Sequence, residues 1–225
     1  LPVQKPLPIE AAEFQPKVLP VRHTVIAVLT ALALAGCGGG NPLRVTRSAC
    51  PAVGVVEHAG EVTLFSPATS RDAGAIDVIA AITNVRAACG ESANRIVSQL
   101  SFDVVAQRTN ASGARTVTLP YFAIVLRAGD QLLSKQTGTV TLRFADGSIR
   151  TRATAGARSD IDRAAATLPD DITREITRER KPGDVDAAVD PLAAPAVREA
   201  VRNASFELLV GFQLDDAALA YNVGK

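Results

Sequence analysis

The sequence predicts an all-β protein, an antiparallel β-sandwich with a small helical insertion before its last strand. Three observations carry this reading. From residue 61 to residue 157 apolar side chains recur with a period of two, in short runs broken by Gly, Asn and Asp. Between residues 169 and 203 the period becomes helical, and it returns to two in "SFELLVGFQL" at Ser205–Leu214. Hydrophobic residues make up 47% of the 225, enough to bury one sizeable core.

The first strand is "EVTLF", Glu61–Phe65. Ile76–Val85 follows, with Ile76, Val78, Ala80 and Ile82 on one face. Leu100, Phe102, Val104 and Ala106 then alternate with Ser101, Asp103, Val105 and Gln107. In the next strand Val117, Leu119, Tyr121, Ala123 and Val125 share a face. Phe122, Ile124 and Leu126 on its other face predict cover from both sides. Arg127–Asp130 is a turn into "QLLSK", and Val140, Leu142 and Phe144 alternate with Thr139, Thr141 and Arg143. Asp146-Gly147 is a two-residue hairpin signal, beyond which Ile149, Thr151, Ala153 and Ala155 continue more weakly.

"LPDDITREITRERK" has Ile172 and Ile176 four apart, Pro169 near the start, acids first and bases last, the order a helix dipole favours. "PGDVDAAVDPLA" is a loop and Pro195–Arg202 a second short helix. Phe206, Leu208, Val210, Phe212 and Leu214 then share one face of a strand too apolar to stand alone, so the helices are an insertion before the strand that completes the sandwich. "DDAALAYN" is a closing helical turn. The strand spacing, and "ITNVRAAC" followed by a long paired strand, resemble the immunoglobulin-like sandwiches of exported bacterial proteins, an analogy of fold that carries no function.

The most specific segment lies upstream. Thr24–Ala35, "TVIAVLTALALA", is twelve residues without charge, preceded by Arg22 and His23. It is too short for a comfortable membrane span and fits the apolar region of a secretory signal. Leu34-Ala35-Gly36-Cys37 resembles the lipobox of bacterial lipoprotein precursors. The resemblance implies cleavage between Gly36 and Cys37, a diacylglyceryl thioether on Cys37 and acylation of the new amine. Several acyl chains anchor stably where one does not. A plain secretory signal is the alternative. "GGGNP" opens a tether, assigned to residues 37–52 with the lipidated cysteine, and the domain to residues 53–225. Gly38 stands where an Asp would signal retention in the inner membrane, so the resemblance favours the periplasmic face of the outer membrane. Residues 1–20 hold five prolines without periodicity and read as an upstream extension, with Val21 the expected start. The remainder is similar to Gram-negative envelope lipoproteins for which the resemblance implies no activity.

Composition excludes several classes. Net charge is +1, and removing residues 1–36 leaves 21 basic and 21 acidic side chains, so no global field recruits nucleic acid. Aromatics are 4% with no Trp, which argues against base-stacking platforms. With Cys37 assigned to lipid, Cys50 and Cys89 remain for a disulfide enclosing about 40 residues and contributing roughly 4 kcal/mol, or for two separate thiols. His58, in the polar stretch "EHAGE", is the one histidine past residue 37. A Ser-His-Asp arrangement would have to combine it with Asp72 or Asp77, and no GxSxG elbow is present. Zinc is not expected from a single histidine. Asp184, Asp186 and Asp190 hint at calcium without the Glu and Gly of an EF-hand loop. Asp170-Asp171 suits helix N-terminal stabilisation better than acid–base work.

Arg174, Arg178, Arg180 and Lys181 form a basic end to the first helix, a candidate contact for headgroups or an acidic partner, or a charge set spent within the insertion. The expectation from sequence is a non-enzymatic lipoprotein without cofactor or metal, held on the membrane by its lipid and binding another envelope protein. A carrier of an apolar ligand is the alternative, and a hydrolase using His58 the third.

Overall fold

The structure is a computed structural model that describes residues 47–224. The signal segment, Gly36, Cys37 and the extension before them lie outside the described residues. Eight strands among the described residues form two four-stranded sheets. One has the order β1-β8-β5-β6, from β1 (Ala52–Val55), β8 (Phe206–Phe212), β5 (Arg115–Arg127) and β6 (Gln131–Phe144). The other has the order β2-β3-β4-β7, from β2 (Glu61–Phe65), β3 (Ile76–Glu91), β4 (Arg95–Arg108) and β7 (Arg150–Asp162). The mostly β architecture and the late helical insertion agree with the sequence. One pairing departs from the antiparallel expectation: β1 runs parallel to β8, with Ala52 opposite Glu207 and Val55 opposite Val210.

The inward residues of both sheets build one core. Phe102 and Val104 of β4, Leu142 and Phe144 of β6 and Val210 and Phe212 of β8 are at most 2% exposed. Their alternation is the period read in the sequence. The outer row of β5, Phe122, Ile124 and Leu126, is only half-buried, so that strand is covered on one face rather than both.

Two buried charges organise the sheets. Arg108 ends β4 and is 2% exposed. Its Nε donates to Ser148 O at 2.8 Å, Nη1 to Gly113 O at 2.9 Å, and Nη2 to Ala111 O at 2.7 Å and Ala145 O at 2.9 Å. Its guanidinium also lies 5.1 Å from the Phe144 ring centroid. All four acceptors lie in the two loops, residues 109–114 and 145–149, that carry the chain from one sheet to the other. Asp103 faces outward on β4 yet is 4% exposed. β3 bulges between Thr83 and Arg86, and Asn84 there adopts φ 52°, a region its short amide tolerates. Asn84 Nδ2 donates to Asp103 Oδ2 at 2.7 Å and Thr154 Oγ1 to Oδ1 at 2.8 Å. These bonds, Asn84 first, hold the carboxyl below the usual carboxylate range against desolvation.

At the far end of β4 the chain is tied covalently. Cys50, just before β1, is disulfide-bonded to Cys89 of β3, with Cα atoms 6.1 Å apart. Arg47 donates to Ala166 O, at the end of α1 (Arg163–Ala166), and to Ala204 O. The stretch from Arg47 to Ala52, assigned to the tether by sequence, is thus fixed to the fold by a bond and a guanidinium.

Replacing Arg108 with Met is expected to cost about 3 kcal/mol or more, because buried carbonyls lose charged donors. Denaturant unfolding measures it, and an Arg108→Lys variant should fall between the two. Asp103 is ionised in the native state at lower pH than in the unfolded chain. Its contribution is therefore complete above the unfolded value near 4 and is lost as pH falls through the depressed native one. The stability gap between wild type and Asp103→Asn should be constant from about pH 5 to 7 and shrink below about pH 4 in urea titrations.

Candidate functional site

The insertion between β7 and β8 was the sequence's candidate contact region. Its first full helix, α2 (Asp170–Thr177), starts after Pro169 with Asp170 and Asp171 in the first turn, as the dipole favours. Arg178 is its C-terminal cap, so of the four cations only Arg174 lies in the helix, in the last turn. A loop then leads to α3 (Pro195–Asn203), with Pro195 at the first helical position. Leu168, Ile176, Val197 and Ala204 form a second small core beside the main one.

The structure separates the four candidate cations. The Arg180 side chain is 1% exposed: Nη2 donates to Glu175 Oε1 at 2.7 Å and Nε to Asp186 Oδ2 at 3.3 Å. Arg178 reaches the same Asp186 carboxylate, with Asp184 and Glu175 each at 4.0 Å. Desolvation raises the Asp186 carboxyl and the Arg178 hydrogen bond and charge outweigh it, so its pKa lies below the usual range. Arg180 is therefore not a partner-facing residue. The chain folds back after Lys181-Pro182-Gly183 and brings two acids onto the two arginines. The same pairing occupies Asp184 and Asp186 of the calcium hint. Arg174 and Lys181 remain exposed.

The other candidates are scattered. His58 is exposed in the loop before β2, at φ 60°, with Nε2 3.5 Å from Glu57 Oε1. Asp77 is taken by Arg115 in two 2.6 Å hydrogen bonds, which lower its pKa against desolvation. Asp72 accepts from Ser70 Oγ at 3.4 Å. The structure thus does not join His58 to either aspartate. Among the described residues no group of three or more His, Cys, Asp or Glu is placed to hold a metal ion. Among them no helix is long and apolar enough to cross a membrane.

Sequence reasoning missed one concavity. An open cleft of about 420 Å³ lies where β2 of one sheet faces β8 and β5 of the other. Leu64, Leu119, Phe212 and Leu214 line it, and Arg71 and the Asp77–Arg115 pair form its rim. The last helix, α4 (Asp216–Val223), adjoins it, with Tyr221 edge-on to Phe65 at 5.2 Å. No short motif could have signalled this cleft, because its walls come from segments about 150 residues apart.

Comparison of the chain with protein families, curated proteins and solved structures finds no match. If the ion-pair cluster is structural, Arg180→Ala should lower stability by about 2 kcal/mol, whereas Arg178→Ala, whose charge is solvent-exposed, should lower it by about 1 kcal/mol or less. Thermal melting of the two variants checks the order.

Proposed function

We propose that this protein is a lipid-anchored periplasmic interaction module of the bacterial envelope, a non-catalytic β-sandwich held at the outer membrane through Cys37. The observation that carries the reading is Leu34-Ala35-Gly36-Cys37 closing a charge-free apolar run behind a basic residue. The Cys50–Cys89 disulfide supports it independently, since such bonds persist in exported compartments and are rare in the cytosol. The partner is another envelope protein. The exposed Arg174 and Lys181 on the outside of the insertion are its first candidate contacts, with Arg178 and Arg180 supporting the loop from within.

An immunoglobulin-like fold is proposed at the level of architecture. Two stacked four-stranded sheets support it, while three consecutive strands side by side, β2-β3-β4, depart from the ABED and CFG orders of the immunoglobulin constant type. The alternative function, carriage of an apolar ligand, draws its support from the cleft between β2, β5 and β8.

Cell fractionation tests the anchor. Wild type is expected in the membrane fraction with an acylated N-terminal Cys37 by mass spectrometry, and a Cys37→Ser chain should lose both. An unmodified Cys37, or a soluble wild-type chain, overturns the reading. Crosslinking in mild detergent should then capture a discrete envelope partner. A chain that is always solitary removes the interaction role.

A further inference from the structure

The outer faces of the two sheets differ in kind. Residues opposite one another in a ladder share a face. On the β2-β3-β4-β7 sheet the outer face bears charges of both signs from every strand, Glu61, Arg86, Asp103 and Arg152 among them. On the β1-β8-β5-β6 sheet the corresponding positions of the middle strands are apolar. Ile124 of β5 lies opposite Leu209 of β8, and Leu126 opposite Leu132 of β6. Phe122, the next outward residue of β5, lies opposite Gly211. A Cβ on Gly211 would lie 2.9 Å from Phe122 Cζ, and one on Gly54 of β1 3.3 Å from Leu209 Cδ2. The ring and the leucine therefore lie down over glycines, and the strip is flat. Leu132 is 56% exposed, and Phe122, Ile124, Leu126 and Leu209 are half-buried. An antiparallel sheet with one solvated face alternates apolar in and polar out, and this strip breaks that alternation.

Two charged side chains border it. Lys135 of β6 lies opposite Ile124, with Nζ 4.9 Å from the Phe122 ring centroid. Glu207 of β8 lies opposite Leu126. They flank β5 on opposite sides, with Cα atoms about 12 Å apart by the ladder spacings. Lys135 leans toward Phe122 and so away from Glu207, and neither is in an ion pair among the described residues. Arg143, the other charged residue in the outward rows of these ladders, is opposite Thr116, about 20 Å along β5 from Phe122.

We propose that this face pairs with the same face of a second copy of the chain across a twofold axis. Such a contact is isologous: where one residue meets a second on the partner, the second meets the first. An axis in the plane of contact, passing over β5 between Ile124 and Leu126, sets Lys135 on the partner's Glu207 and Glu207 on the partner's Lys135. One rotation buries the two apolar strips against each other and pairs both bordering charges. Opposite signs on opposite borders select a second copy, since a strip with like charges on both borders would repel itself. The face is about 19 Å across its strands and about 24 Å along seven residues, roughly 450 Å² in projection. A stable interface takes about 800 Å² from each partner, so this dimer is weak, dissociating at roughly 10–100 μM. The pairing goes beyond the reading above and requires neither the lipid nor the envelope partner.

The test uses the full chain with Cys37→Ser, so that neither an acyl group nor a free thiol joins two copies. Sedimentation velocity over a dilution series should show monomer passing to dimer, half-converted within roughly 10–100 μM. Lys135→Glu and Glu207→Lys should each weaken the association at least tenfold, because each places two like-charge contacts in one dimer. An equimolar mixture of the two variants should recover it as a heterodimer, since every contact then joins opposite signs. In cells, a photo-crosslinking residue at Leu209 should link two copies of the chain.

A chain that stays monomeric throughout the series overturns the proposal. Association that the two charge reversals leave unchanged overturns it as well, because the contact then lies elsewhere, as in the apolar run Thr24–Ala35. A mixture that associates no more tightly than its components overturns the twofold pairing. Linkage from Leu209 to a different protein alone overturns it in favour of a foreign occupant. The dilution series needs neither charge reversal, so misfolding of a variant leaves the test standing.

Discussion

The sandwich depends on the Arg108 guanidinium. Two sheets that share a core must be joined by loops that leave one and enter the other, and such loops carry backbone groups with no ladder partner. Here the crossings from β4 to β5 and from β6 to β7 lie side by side, and four of their carbonyls converge on one side chain. A fully buried arginine with no carboxylate partner among the described residues is otherwise costly. Its hydrogen bonds to carbonyl dipoles and its place over the Phe144 ring supply what an acid would. Lysine has neither the planar fork nor the reach to bond both loops at once. At the opposite end of β4 the tie between the sheets is the Cys50–Cys89 bond, so each end of the sandwich is closed by a different device.

The long sides differ too. Between β6 and β7 the outer backbone of each sheet is capped by side chains from the other. Tyr121 donates to Gly156 O, Gln136 to Arg158 O and Thr151 to Arg143 O. These bonds blunt edges that would otherwise template another chain. Between β2 and β8 the sheets part, and the cleft opens there. The fold thus closes along β6 and β7 and leaves its opening between β2 and β8.

Alternation made much of this legible. Val78, Ala80 and Ile82, Phe102 and Val104, and Leu208, Val210 and Phe212 are each buried as their period predicts, because a half-buried sheet imposes that period. Strand β1 escaped because "AVGV" is four residues long and pairs parallel with a strand 150 residues away. The start of β6 escaped because Gln131–Thr137 is exposed on both faces and has no reason to alternate. Arg108 was illegible for another reason: its partners are backbone carbonyls, which leave no trace in residue identity. The basic run at Arg174–Lys181 was visible, but its neutralisation by Asp186 depends on a loop returning, which a charge pattern does not encode.

The proposed anchor has a definite reach. Ten peptide units join Cys37 to Arg47, which limits their separation to about 35 Å whatever the conformation between them. A surface potential decays over roughly 8–10 Å at physiological salt. A lipid on Cys37, as proposed, would therefore keep the domain near the bilayer without choosing which side faces it.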